Sequence, residues 1–314
     1  MNSYPGIERV PVLFVNAYLV DVDPADRTQG WVLIDSGLPG VGASLIQRAA
    51  EARYGANVAP FGIVLTHGHF DHAGSARPLA RQWNVPIFAH TLELPYLTGQ
   101  SSYPPPDPTV GGALAMMSRA FPYGARDLRP HLMHITSDED QISILPGWRI
   151  VHTPGHTPGH ISLFRESDRT LIAGDALATM NQESWITTIT MPQELSSPPT
   201  PMTTDWFAAM DTVQLLAALN PTMVAAGHGV PMEGPDMPAT LRGFADRMAP
   251  PRNGRYVDEP VLADEGGIVS MPAAPPDPVG VALRAASLGA VAGAILVTQW
   301  PTRRTLQHRR YGRS

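Results

Sequence analysis

Cysteine is absent from the 314 residues, which excludes disulfides and thiolate metal ligands. Any metal site must then be built from histidine and carboxylate, and the chain suits a reducing compartment. Lysine is absent too, so all 22 basic side chains are arginine. Charged residues make up only 16%, the net charge is -6, and no basic run appears before the last dozen residues. Such a surface has no broad attraction for nucleic acid, so no nucleic-acid partner is expected. The amino terminus "MNSYPGIERVPVLF" lacks the basic start and apolar stretch of a secretory signal, with Pro5, Glu8 and Pro11 standing where that stretch would run. A cytoplasmic location is the expectation.

What is present is enough apolar material for a sizeable core, at 43%, together with 33 Pro and 28 Gly that punctuate many loops. Apolar runs at 10–22 and 31–35 read as paired strands, 42–53 as a helix, 62–65 as a short buried strand, 73–83 as a helix and 85–89 as a strand. Residues 98–130 break this rhythm with a Pro-rich insertion around a short helical piece at 113–120. Strands resume at 141–145, 148–152, 161–165 and 170–173. A second irregular stretch, 179–203, precedes a helix at 204–219 that Asn220-Pro221 must stop. A last strand, 222–226, runs into Gly227-His228-Gly229. Strand-rich halves closed by helices predict an α/β fold with two sheets face to face and helices outside.

One domain over 1–249 is expected, with 98–130 and 179–203 on its substrate side. A Pro/Gly-rich linker would follow at 250–278, then an apolar helix and basic tail at 279–314. The apolar stretch 281–300 approaches the roughly 20 residues that span a bilayer. Arg284 and many small residues favour a packed or interfacial helix, with a membrane tether as the alternative and the cationic end cytoplasmic.

The chemistry concentrates in "THGHFDH", residues 66–72. In extended chain, residues two apart point the same way, so His67 and His69 leave the 62–65 strand on one side and can share a metal. Asp71 and His72 follow as the chain turns, close enough for a second. Three further fragments put ligand-type residues at strand ends: "VHTPGHTPGH" (His152, His156, His160), "LIAGDAL" (Asp175) and "MVAAGHGV" (His228). Side chains gathered from distant strand ends are how a rigid sheet holds a site on its rim. Five His and two Asp suit a pair of borderline metals rather than Ca or Mg.

With these residues the sequence resembles the metallo-β-lactamase-fold hydrolases, whose HxHxDH motif is matched by His67, His69, Asp71 and His72. The resemblance spans about residues 10–245 and implies an αββα four-layer sandwich of two mixed sheets. It implies a first metal on His67, His69 and His156, a second on Asp71, His72 and His228, and Asp175 bridging them. Asp35, in "VLIDSGLPG", would orient a ligand from behind, as ligating imidazoles need an acceptor for their other N–H. His160 would also support the ligands without being one. His90, His131, His134 and His152 are assigned no role.

The resemblance further implies two Zn ions, with Mn or Fe possible, and a metal-bridging hydroxide attacking a carbonyl while Asp71 or water supplies the proton. A small ester, lactone or thioester would be the acyl substrate. Asp175 stands where true β-lactamases of this fold usually carry Cys or Ser. Ala178 stands where many lactonases carry a Tyr, leaving Tyr103 or Tyr123 as candidate donors. A glyoxalase II-like thioesterase would need Arg242, Arg247, Arg252 and Arg255 in place of a Lys cluster. Neither the iron-dependent sulfur dioxygenases nor the flavin-coupled oxygen reductases of this fold are matched. Met180, Trp185, Met191 and Trp206, with the 98–130 insertion, are candidates for an apolar mouth suited to an acyl or aromatic group. A metal-bound sensor or scaffold without turnover is the alternative from another class. The opening "VNAYLV…LIDSG" is similar to that of bacterial hydrolases of this superfamily.

Overall fold

The computed structural model describes residues 3–136, 141–190 and 192–280. The first half builds a seven-stranded sheet in chain order, β1 (Ser3–Tyr4), β2 (Ile7–Val12), β3 (Val15–Asp21), β4 (Trp31–Ile34), β5 (Ile63–Val64), β6 (Ile87–His90) and β7 (Leu132–Ile135). Strands β1 to β4 pair antiparallel, and β4 to β7 pair parallel. The parallel crossovers are made by α1 (Gly42–Tyr54) and α2 (Ala76–Trp83), then by a longer excursion holding α3 (Leu94–Leu97) and α4 (Gly112–Ser118).

The second sheet comprises β8 (Trp148–His152), β9 (Ile161–Arg165), β10 (Thr170–Gly174), β11 (Met223–Ala226) and β12 (Met232–Glu233), in the order β12-β11-β10-β9-β8. Only β10 and β11 pair parallel. Their crossover carries α5 (Trp185–Thr190) and α6 (Trp206–Ala218), and α7 (Met237–Ala245) follows β12.

The strands are apolar on both faces because both faces are covered. In β3, Ala17 and Leu19 point to a core shared with Ile46 and Ala50 of α1 and Leu79 of α2, while Tyr18 and Val20 point the other way. That second core lies between the sheets, where Val32, Ile34 and Val64 meet Ile150, Leu163 and Ile172. A third lies behind the second sheet, where Phe164, Leu171 and Val224 meet Val213 and Leu216 of α6 and Leu241 of α7. Three cores between four layers define the αββα sandwich. Each fully buried Leu, Ile or Val there contributes about 1.5–3 kcal/mol.

Three local expectations are corrected. No strand forms over 141–145; Ile142 and Leu145 fill the inter-sheet core from a turn closed by Leu145 N–H to the Ile142 carbonyl at 3.0 Å. The strand of this region is β7, which finds its ladder partner in β6. The irregular stretch 179–203 contains α5. The expected linker is also different in kind: the chain through Pro275 belongs to the same compact unit as the sandwich. Tyr256, Val257 and Val261 are buried, and β13 (Leu262–Asp264) pairs with β14 (Gly267–Ser270). Val261 N–H reaches the Thr204 carbonyl at 3.0 Å. Among the described residues no helix is long and apolar enough to cross a membrane. The stretch 281–300 and the basic tail lie outside the described residues.

Candidate metal centre

Four loops at strand ends assemble the site. After β5 the chain passes through His67 and His69, then turns back on itself as the His69 carbonyl accepts from His72 N–H at 3.1 Å and Ala73 N–H at 2.9 Å. That turn returns Asp71 and His72 to the side held by His67. His156 comes from the loop after β8, Asp175 from the end of β10 and His228 from the end of β11, and all seven side chains are buried.

Their donor atoms fall into overlapping groups, His67/His69/His156, His67/His72/Asp175 and Asp71/His72/His228, with atoms in each group within 4.8 Å of one another. Asp175 Oδ2 lies between these sets, 3.3 Å from Nε2 of both His72 and His228, 3.6 Å from His156 Nε2 and 4.0 Å from His67 Nε2. His67 Nε2, His72 Nε2 and Asp175 Oδ1 are buried without a hydrogen-bond partner, although buried polar atoms are nearly always satisfied. The donor set, five imidazoles and two carboxylates aimed inward, fits divalent metals of the zinc or iron type.

Outside the cluster, most of the imidazoles are held by their other nitrogen. Thr66 Oγ1 donates to Asp35 Oδ2 at 2.9 Å, so it accepts from His67 Nδ1 at 3.1 Å and leaves His67 Nε2 as a lone pair. Asp35 also accepts from His72 Nδ1 at 2.8 Å and from Thr66 N–H at 2.8 Å. The Phe14 carbonyl accepts from His228 Nδ1 at 2.8 Å. Thr203 Oγ1 donates to the Pro199 carbonyl and so accepts from His156 Nδ1 at 3.2 Å. His160 sits behind the cluster: its Nε2 accepts from Asp175 N–H at 2.9 Å, so Nδ1 faces Thr153 Oγ1 as donor. It positions the carboxylate through the backbone.

The electrostatics divide the cluster. Burial, reinforced by neighbouring imidazoles, pushes His67, His69 and His160 well below the usual histidine range, and burial brings His156 down to about 4. Burial also opposes the His72 cation, but Asp175, Asp35 and Asp71 outweigh it and raise that pKa. His228 is raised in the same way, against its burial, chiefly by Asp175. Burial raises Asp71, whereas His72 and His228 overcome burial at Asp175 and hold it well below the carboxylate range. Neutral imidazoles and an ionised carboxylate are the forms that ligate a metal.

Asp71, Asp175 and His228 open on a cavity of about 160 Å³. Leu114, Met117 and Phe121 wall it from one insertion, Met180 and Met202 from the other, and Phe14 from the β2–β3 turn. Of the residues expected near a substrate, Met180 lines this cavity. Tyr103 is not: it is buried, its hydroxyl donates to Glu93, and its ring packs on His69 at 4.6 Å. Tyr123 is exposed and outside the cavity lining, and Trp206 is buried away from it. Trp185 opens α5, and its side chain, like Met191, lies outside what the structure describes. Both tyrosines came from composition of the insertion, which carries no information on facing.

Two residues escaped sequence reasoning. Glu93 is fully buried and accepts from Gly68 N–H at 2.9 Å and the Tyr103 hydroxyl on one oxygen, and from Thr157 Oγ1 at 2.7 Å and Gly159 N–H at 3.0 Å on the other. It ties the His67–His69 loop to the His156 loop. Asn16 takes the Gly227 carbonyl with its backbone and those of Ala226 and Gly229 with its side chain, fixing the His228 loop. Nothing marks Glu93 in a sequence; Asn16 is visible in "VNAYLV" as a polar residue inside an otherwise apolar strand.

The pattern of the metallo-beta-lactamase superfamily matches residues 10–228, and the chain belongs to that superfamily. It is similar to the probable metallo-hydrolase YflN of Bacillus subtilis, 38% identical over 245 residues covering 78% of this chain and 91% of that protein. Similarity to the hydroxyacylglutathione hydrolase GloC of Haemophilus influenzae is 30% over 155 residues, 48% of this chain and 63% of that one. The fold matches an archaeal metallo-beta-lactamase superfamily protein from Sulfolobus tokodaii at a TM-score of 0.51, with 20% identity, over 78% of this chain and 86% of that chain.

Proposed function

We propose that the protein is a metal-dependent hydrolase that cleaves a small ester, lactone or thioester. The observation that carries this reading is the placement of Asp175 Oδ2 within 3.3 to 4.0 Å of imidazole nitrogens from both halves of the cluster, at the end of a cavity large enough for an acyl group. His67, His69 and His156 would hold one divalent ion, Asp71, His72 and His228 a second, and Asp175 would touch both. Two such ions, zinc or alternatively manganese or iron, would lower the pKa of a water toward 7 and polarise a carbonyl.

The chain's own residues supply the rest. Asp35 and Thr66 fix which imidazole nitrogens face inward, and His160 fixes the Asp175 backbone. Asp71 lines the cavity and is placed to pass a proton to the departing oxygen or sulfur. The apolar walls exclude water from the acyl side.

The similarity to GloC favours a glutathione thioester as a second reading. Three of the four arginines that such a substrate would need have other partners or surroundings. Arg242 donates to Asn220, Arg255 donates to the Pro272 carbonyl at 2.7 Å, and Arg252 faces a separate depression beside Glu183. A small acyl substrate is the better fit.

Protein loaded in turn with Zn, Mn and Fe and assayed on ester, lactone and thioester panels tests the proposal. At least one bond class should turn over, and Asp175→Ala should abolish that turnover. No transition metal bound would overturn the proposal, and metal binding with no turnover by any loaded form would leave the sensor reading in its place.

A further inference from the structure

Resting on the hydrolase reading, we infer that the acyl unit entering the cavity is uncharged, apolar and about the size of a benzene ring. Size is the first argument. Apolar cavities near 150 Å³ are sufficient to admit benzene, and this one is about 160 Å³, well below the roughly 300–1,000 Å³ of sites that hold drug-sized ligands. A phenyl ring or a four- to six-carbon chain fills it. A long acyl tail or a peptide exceeds it and would leave its remainder outside the apolar walls.

Charge is the second argument. Among the described residues, the lining apart from Asp71, Asp175 and His228 contains no ionisable side chain, and Gln182 is its one further side-chain polar group. Against the walls away from those three residues, a carboxylate or ammonium on the acyl unit would lose its hydration and meet no charged partner, which is costly in an apolar surround. The nearby cation Arg126 does not line the space; its charge acts on Asp71 and the Tyr103 hydroxyl from outside the walls.

The third argument is the make-up of the walls. Met117, Met180 and Met202 bring three flexible thioethers to one small space, beside the rings of Phe14 and Phe121. Thioethers pack well on aromatic rings and adapt to linear chains, so the same walls suit either shape. The Phe14 ring lies nearly parallel to that of His228, 14° between planes at 6.2 Å, so the entrance to the cluster is apolar as well.

The test pairs turnover with binding. Metal-loaded enzyme is assayed on p-nitrophenyl acetate, butyrate, hexanoate, benzoate, decanoate and hemisuccinate, which share one leaving group. The expected kcat/KM rises at least tenfold from acetate to hexanoate or benzoate, falls again for decanoate, and is at least tenfold lower for the charged hemisuccinate than for butyrate. In parallel, protein labelled at methionine methyl groups is titrated with benzyl alcohol and followed by NMR, the signals assigned by substituting Met117, Met180 and Met202 in turn. Shifts confined to those three signals are expected. Met117→Trp, which fills the space, should lower the hexanoate-to-acetate ratio at least fivefold and remove the shifts. Methionine shifts without turnover of these esters or of the lactone and thioester panels would support the cavity's preference for an apolar guest and reject the hydrolase reading. Turnover that ignores chain length and charge, or methionine signals that ignore benzyl alcohol, would overturn the inference while leaving the hydrolase reading intact.

Discussion

Asp35 holds Nδ1 of His72 at 2.8 Å from a backbone position with φ of 57°, a left-handed conformation that few residues other than glycine, asparagine and aspartate adopt readily. The residue must satisfy both the turn and the imidazole. Asp35→Asn keeps the first and weakens the second, because one of its two terminal groups can no longer accept from Thr66 or His72. Metal affinity, measured by chelator competition, and kcat/KM should each fall about 10- to 100-fold. Unchanged affinity in that variant would show that the carboxylate does not set the imidazole.

Glu93 accepts four hydrogen bonds from two ligand-bearing loops and the Tyr103 hydroxyl. In Glu93→Gln the amide nitrogen must face one of the two glycine N–H groups and leave it unpaired. Denaturant unfolding should show a loss of about 1–3 kcal/mol. Tyr103→Phe removes only one of the four donors and should cost less. Equal losses in the two variants would contradict the clamp.

Gly227 leaves no room for a side chain: an added Cβ would collide with the Asp175 carboxylate and come within 2.6 Å of the His72 ring. Gly227→Ala is expected to reduce bound metal per chain, read by elemental analysis, while the fold is retained by circular dichroism. Full metal content in the variant would mean that the cluster tolerates displacement of its central carboxylate.

His90 and His152 stack at 4.3 Å, and burial, with His152 adding to it, holds His90 down to about 4. His152 is lowered too, by burial first. A histidine held below its unfolded value is neutral in the fold and takes up a proton on unfolding in mild acid. Its contribution to stability is complete above about 6.5 and is lost as pH falls toward about 4. Urea midpoints should therefore drop across that window, and His90→Gln should drop less steeply. The cluster histidines act on the slope in both proteins, His67, His69, His156 and His160 steepening it and His72 and His228 opposing it, so the difference between the slopes is the measurement.

The sequence made most of this architecture legible because both faces of each sheet are covered, and strands such as Thr170–Gly174 stand out as apolar runs between turn residues. It misled at 141–145, where Ile142 and Leu145 are apolar for the core but have no strand to pair with. The donor residues could be read one by one because each sits at a strand end beside glycine or a turn. Of the residues that hold them, Asp35 and His160 were legible through the family resemblance, whereas Glu93 was not. Glu93 acts across 25 and 66 positions of chain, on Gly68 and Gly159, and no local pattern encodes such a reach. The facing of Tyr103 depended on that same contact.

All seven donors lie before residue 229, whereas the loop leading into the cavity wall is fastened from far downstream. Arg255 N–H binds the Asp107 carboxylate, and the Tyr256 hydroxyl binds the Pro105 carbonyl at 2.7 Å. A chain cut after Ala249 would keep every donor and lose both fasteners. The loop that leads into the cavity wall is thus held in part by a stretch that supplies neither a donor nor a wall residue, so a change far from the site in sequence can reach it through two hydrogen bonds.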